Sequence, residues 1–329
     1  MAGTFRPLTS LRPLTRFPAI STPHKFQHQR TKANMAKETR IVSPPYKTVD
    51  SHLHIWASPE EAVNKYPYSP GHEPTISGHV DFLLQCMEEA GVDGALIVQP
   101  INHMFDHSLV ASVLKKHPSK FVGCCLANPA QDGTGIKQLE HLVQKDGFRA
   151  VRFNPYLWPS GEKMTNNIGK ALFSKAGELG VPVGFMCMKG LSLHFSEIEE
   201  LSSEFPSTVV ILDHLGFCKP PLNGEEREAF SQLLKLSSFP QIYVKFSALF
   251  RLSRKPYPYE DLSDLLSQVI SSYSARRIMW GSDFPFVIHE CGYKKAKEAV
   301  LHIASQLSVS ASDLEWIMGR TVKQLFEDS

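Results

Sequence analysis

Thr48-Val-Asp-Ser-His-Leu-His-Ile-Trp56 is the stretch on which the reading of this chain turns. Its apolar, β-branched character reads as a strand, and alternation along a strand sends His52 and His54 out of the same face. A lone His-x-His pair is weak, because two histidines on a strand commonly serve a solvated or core face. Its place in the chain gives it weight. Short β-branched or aromatic runs recur at 95–99, 121–127, 148–153, 182–187, 208–213, 242–247 and 277–282, so 48–55 is the first of eight strands. Apolar residues at three- and four-residue spacing predict helices between them, at 80–90, 106–117, 134–145, 166–179, 195–204, 225–237, 260–273 and 292–307. Gly91 is placed to end the first of these as a C-cap, and Ser312-Asp-Leu-Glu315 reads as a capping box opening a final helix.

Eight alternating βα units predict an α/β protein built as a single (β/α)8 TIM barrel. A doubly wound open sheet is the alternative, but it would carry a Gly-rich phosphate loop after the first strand, and none is present.

Composition agrees with one globular body: 329 residues, 42% hydrophobic and 21% charged. No apolar run approaches the roughly 20 residues needed to span a bilayer, so a membrane is not among the expected partners. Residues 1–37 hold seven of the 35 Lys and Arg and no acid, leaving 28 basic against 33 acidic residues in the remainder. The body is therefore mildly acidic, which argues against a nucleic-acid partner. The acid-free stretch is rich in Ser, Thr and Arg and broken by Pro7, Pro13, Pro18 and Pro23. It reads as a disordered transit peptide over 1–40 before a barrel over 41–329. The prolines favour a chloroplast over a mitochondrion, and an internal start at Met35 would give a cytosolic form. The six cysteines form no Cys-x-x-Cys pair and are expected to be reduced, with Cys124 and Cys125 on opposite faces of a strand.

Polar residues collect at the ends of apolar strands, the end at which barrel enzymes work. Val209-Val-Ile-Leu-Asp-His-Leu-Gly216 ends in Asp213 and His214, and Arg277-Ile-Met-Trp-Gly-Ser-Asp-Phe-Pro285 ends in Asp283. Asp213 reads as readily as a helix cap or support for a neighbouring histidine as it does as a direct participant in the chemistry; the distance from Asp283 to the next helix argues against a simple cap. Arg152 ends the fourth strand and Arg251 lies just past the seventh. A guanidinium in a pocket suits a carboxylate, so a small anionic substrate is expected, with Asn154, Tyr156 and Ser247 as hydrogen-bonding wall residues. His103 and His107 read as loop and helix surface, Trp56 and Trp280 as packing, Met186 and Met188 as core filler, and Cys187 as a buried thiol. A homo-oligomer is compatible with all of this.

His-x-His, Asp-His-x-Gly and Trp-Gly-Ser-Asp-x-Pro, in that order, resemble the amidohydrolase superfamily. More narrowly they are similar to its amidohydrolase-related branch, which holds 2-pyrone-4,6-dicarboxylate lactonase and the sugar-acid lactonases. The resemblance covers about 47–326, including Ile317-Met-Gly-Arg-Thr-Val-Lys-Gln-Leu-Phe326. It implies an ester-bond hydrolase that opens a lactone, with Asp283 as the base for water. By the same resemblance His52, His54 and His214 bind metal or polarise the carbonyl. His52, His54 and Asp283, with His214 as a further ligand, would hold one Zn²⁺ or another divalent ion, or work without metal. The fourth strand ends Arg152-Phe-Asn154 and the fifth Cys187-Met-Lys189, lacking the Lys or Glu and the His of metal-rich members, which argues against a binuclear site. A metal-dependent decarboxylase of the same superfamily is the alternative, and a non-catalytic barrel a third reading.

Overall fold

The computed structural model describes residues 47–326. Eight strands run in chain order: β1 (Val49–Leu53), β2 (Gly94–Val98), β3 (Phe121–Leu126), β4 (Phe148–Phe153), β5 (Val183–Phe185), β6 (Val210–Leu212), β7 (Ile242–Ser247) and β8 (Ile278–Gly281). Each pairs in parallel with the next. The ring closes between β8 and β1: Leu53 bridges Phe284, His54 N–H donates to Phe284 O at 2.7 Å, and Asp283 N–H donates to His52 O at 2.8 Å. All eight strands expected from the sequence are present, and the architecture is a TIM barrel.

Parallel strands buried on both faces need apolar side chains on both. One set, Val49, Leu96, Val98, Cys124, Ala150, Ile211 and Met279, fills the barrel interior together with Val322 and Phe326 of the C-terminal helix. The other set meets the surrounding helices; Cys125 belongs to it, opposite Cys124. Helix Val80–Ala90 shows the logic of the outer layer. Val80, Leu83, Met87 and Ala90 are buried at three- and four-residue spacing, and Gly91 closes the helix at φ 61°. Burying a Leu or Met of this kind contributes about 1.5–3 kcal/mol.

Several expectations need correction. The terminal capping residue is Ser310, whose side chain accepts from Asp313 N–H, so Ser312 lies inside the helix Ala311–Glu315. His103 and His107 are buried, not surface residues. The ring of His107 accepts Leu126 N–H at 3.0 Å and reaches Phe105 O at 2.9 Å. His103 accepts Ala57 N–H at 3.3 Å. Met186 is buried as expected, but Met188 is 54% exposed. The transit-peptide reading falls on residues outside the described range. Among the described residues no helix is long and apolar enough to cross a membrane.

Candidate active site

Backbone geometry at three neighbouring strand ends turns polar side chains toward the barrel axis. After β6 the chain turns through left-handed residues, His214 at φ 50°, Leu215 at φ 49° and Gly216 at φ 62°. Ala248 after β7 (φ 51°) and Asp283 after β8 (φ 63°) are also left-handed. Such conformations cost a non-glycine residue of order 1 kcal/mol and gather at functional sites. At β8 the backbone runs so close to β1 that a Cβ on Gly281 would stand 2.9 Å from both the Cβ and the N of His52. Asp50 joins the same two strands from behind. Its Oδ1 accepts the N–H groups of His52 and Ser282, each at 3.0 Å, and its Oδ2 accepts Tyr293 O–H at 3.0 Å.

His52, His54, His214 and Asp283 converge. The ring of His52 lies 5.0 Å from that of His54 and 4.4 Å from that of His214. Asp283 Oδ1 stands 3.5 Å from His54 Nε2 and 3.9 Å from His52 Nε2. On their far sides the imidazoles are held: His54 Nδ1 to Val98 O at 2.8 Å, His214 Nδ1 to Ser247 Oγ at 2.7 Å, and His52 Nδ1 to Asp213 Oδ1 at 3.1 Å. All four residues are buried.

Asp213 supports His52, one of the three roles left open for it. Its Oδ1 also takes Lys245 Nζ at 3.0 Å, and its Oδ2 faces Arg152 Nε at 3.0 Å without hydrogen-bond alignment. Arg152 is therefore in ion-pair contact with a protein carboxylate rather than open to solvent. Arg251 donates Nε–H to Asp283 Oδ2 at 2.7 Å, with its guanidinium 4.9 Å from the ring of Phe250 and 4.8 Å from that of Phe286. Ser247 sits in the cluster beside His214. Asn154 and Tyr156 are engaged locally: Asn154 Oδ1 accepts Tyr156 N–H at 3.1 Å, and Tyr156 Oη accepts Lys189 N–H at 2.8 Å.

The charges follow from these contacts. Burial works to raise the Asp283 carboxyl, but His54, His214 and Arg251 outweigh it and hold it below the ordinary carboxylate range. Burial likewise opposes ionisation of Asp213, and Lys245, His52 and Arg152 reverse that. Burial pushes His214 down to about 4, with Asp283 and Asp213 opposing. It also pushes His52 well below an ordinary imidazole, against the pull of Asp213. The resting site thus holds ionised carboxylates beside the neutral imidazoles of His52 and His214. Cys187, buried and with its thiol pushed up chiefly by burial, is a packing residue.

The Amidohydrolase family model matches residues 49–327. The chain belongs to this amidohydrolase family. It is 27% identical over 258 residues to the 4-sulfomuconolactone hydrolase of Hydrogenophaga intermedia, covering 75% of this chain and 77% of that one. A probable 2-pyrone-4,6-dicarboxylic acid hydrolase from Acinetobacter baumannii, with citric acid bound, shares the fold at TM-score 0.69 and 18% identity, covering 85% of this chain and 99% of that one. An amidohydrolase from Burkholderia multivorans with bound zinc matches at TM-score 0.66 and 15% identity, over 85% of this chain and 99% of that one.

The donor set of this amidohydrolase fits a divalent cation. His52, His214 and Asp283 each offer a ligand atom, all within 4.8 Å of one another. His52 Nε2 is buried with no hydrogen-bond partner among the described residues. His54, expected in the ligand set, lies outside this triad while still facing Asp283 at 3.5 Å. A cavity of about 850 Å³ lies elsewhere, at the N-terminal end of the strands beside Gly94, Phe121 and Phe326. The strand-end chemistry places the site at the opposite end.

Sequence reading missed two residues of this amidohydrolase site: Lys245 and Asp50. Lys245 had a signal. A lysine inside the apolar run Ile242-Tyr-Val-Lys-Phe-Ser247, in step with Ser247 and out of step with the outward Val244 and Phe246, is an inward charge.

Proposed function

We propose that this amidohydrolase opens the ester bond of a small lactone carrying an anionic group. The observation that carries the proposal is the Asp283 carboxylate, ionised and facing imidazoles at 3.5 and 3.9 Å at the strand-end mouth of the barrel. Lactone opening needs a base for water, stabilisation of the developing oxyanion and a proton for the leaving oxygen. In this reading Asp283 Oδ1 takes the proton of the attacking water and later returns it to the leaving oxygen. Arg251 holds the carboxylate in position through Oδ2. The imidazoles of His52 and His214 face the carbonyl oxygen, Asp213 fixing the first and Ser247 the second. A divalent cation of the zinc or manganese type, held by His52, His214 and Asp283, would supply Lewis-acid polarisation. The outer edge of the Arg251 guanidinium, between Phe250 and Phe286, is the place for the substrate's anionic group.

The names of a curated relative and of a structural neighbour, a sulfomuconolactone hydrolase and a pyrone dicarboxylic acid hydrolase, support this substrate class. The test is a screen of anionic lactones and aromatic acids, with and without added Zn²⁺, following acid release and CO2 release in parallel. Acid release without CO2 supports the proposal; CO2 release from an aromatic acid would replace it with the decarboxylase reading. We read the basic stretch 1–37 as an organellar address, tested by imaging a fusion of that stretch to a fluorescent reporter.

A further inference from the structure

Asp283 Oδ1 meets two imidazole nitrogens, His54 Nε2 at 3.5 Å and His52 Nε2 at 3.9 Å. Val98 O only accepts, so His54 Nδ1 carries a hydrogen across the 2.8 Å contact. A His52 with its one hydrogen on Nδ1 would turn the Nε2 lone pair toward the anionic Asp283 Oδ1 with nothing between them. The arrangement is relieved by a cation, or by a hydrogen on His52 Nε2.

A neutral His52 can hold its hydrogen on Nε2 only if Nδ1 accepts a bond. Two groups reach Nδ1. Asp213 Oδ1, at 3.1 Å, only accepts; Lys245 Nζ, also at 3.1 Å, only donates. Among the described residues Lys245 is the sole donor in reach. Its ammonium simultaneously bonds Asp213 Oδ1 at 3.0 Å, so donor and acceptor are held against each other on the same imidazole nitrogen. The contact is buried: the Lys245 and Asp213 side chains are 3% and 1% exposed.

We infer that Lys245 is a positioning residue that sets the tautomer of His52: in the cation-free chain it donates to Nδ1 and leaves the hydrogen on Nε2, aimed at Asp283. When a cation takes Nε2, the hydrogen leaves that nitrogen and one is gained at Nδ1, where Asp213 Oδ1 accepts it. The ring keeps the same number of protons and stays neutral throughout. One imidazole thereby turns an N–H toward the catalytic carboxylate, 3.9 Å away, in one state and a ligand lone pair in the other. The cation half of this inference rests on the proposed cation site of His52, His214 and Asp283; the cation-free half does not.

The test uses the full chain labelled with ¹⁵N-histidine. Two-bond ¹H–¹⁵N correlation spectra report which ring nitrogen is protonated, and the His52 signals are assigned by their loss in His52→Gln. After chelator treatment, wild type is expected to show His52 as the Nε2–H tautomer. Lys245→Met, which removes the donor at similar length, is expected to shift it to Nδ1–H. Wild-type His52 in the Nδ1–H form overturns the inference, and this outcome is readable even if Lys245→Met does not fold. An unchanged tautomer in a folded Lys245→Met also overturns it. Added Zn²⁺ is expected to move wild-type His52 to Nδ1–H. If Zn²⁺ leaves His52 untouched, the cation reading fails while the cation-free spectra still decide the role of Lys245.

Discussion

Arg251 and Asp283 share a single bond that ties the mouth of the barrel to its interior: the Arg251 side chain is 33% exposed, the carboxylate 2%, and Nε lies 2.7 Å from Oδ2. The guanidinium adds to His54 and His214 in keeping the carboxylate ionised and fixes its plane, leaving Oδ1 for chemistry. Arg251→Met is expected to remove both effects and the anion site together. The prediction is a rise in KM for an anionic lactone with a smaller fall in kcat, and a kcat/KM loss of about 10²-fold or more, as for a lost charged hydrogen bond of roughly 1.5–3 kcal/mol plus a lost anion contact. Arg251→Lys restores charge without the planar fork and should recover only part of it. An unchanged KM in Arg251→Met would remove the anion-binding role.

Lys245→Met should weaken cation binding and turnover by about 10- to 100-fold, the usual cost of losing a partner that orients a metal-ligating histidine. Chelator competition for Zn²⁺ checks the first and steady-state kinetics the second.

Gly281→Ala places a methyl group 2.9 Å from the Cβ and N of His52 and 3.1 Å from the Cβ of Ser247. β1 and β7 are ladder strands and cannot recede separately. Overpacking of this kind costs about 1–3 kcal/mol, and here it would also displace His52. Denaturant titration should show the stability loss and kinetics a loss of activity beyond it. A variant of normal stability and activity would mean that β8 and β1 have room to separate at this crossing.

Acid should destabilise the fold well before Asp213 and Asp283, both held below the ordinary carboxylate range, titrate. His107 and His214 are both held down to about 4 by burial, against an unperturbed value of 6.5. The unfolded chain therefore takes up protons first, and stability falls as pH drops from 6.5 toward 4. Each imidazole contributes on the order of 3 kcal/mol over that window, at 1.36 kcal/mol per pKa unit. Asp50, raised to about 6 by burial, acts the other way, gaining stability as pH falls from 6 toward 3.8, but it is one carboxyl against two imidazoles. Urea midpoints at pH 7 and pH 4.5 check the sign, and His107→Gln should flatten the dependence. Equal midpoints at the two pH values would contradict these environments. Asp283, held below the carboxylate range chiefly by His54, His214 and Arg251, is not the group whose protonation sets an acid limb near pH 5.

The eight strands were legible because parallel strands buried on both faces must be written as short apolar runs, and the chemistry was legible where such runs end in His, Asp or Arg. Alternation correctly sent His52 and His54 to one side and split Cys124 from Cys125. Partners were not legible. Sequence shows that Arg152 ends a strand facing inward, but not that Asp213 stands before it. Lys245 meets His52 across 193 residues of chain, a contact that exists only once β7, β8 and β1 have closed the ring. Asn154 illustrates another limit: an Asn before a proline is as good a turn cap as a wall residue, and the structure uses it as a cap.

Asp283 Oδ1 is the group on which lactone opening depends most, because it takes the proton from water. The most direct measurement is the rate of anionic lactone opening by Asp283→Asn beside wild type, with circular dichroism confirming the fold. A shape-preserving loss of the base predicts a kcat reduction of about 10²–10⁴-fold. Turnover within a few-fold of wild type, in a folded Asp283→Asn protein, would contradict the assignment of this site.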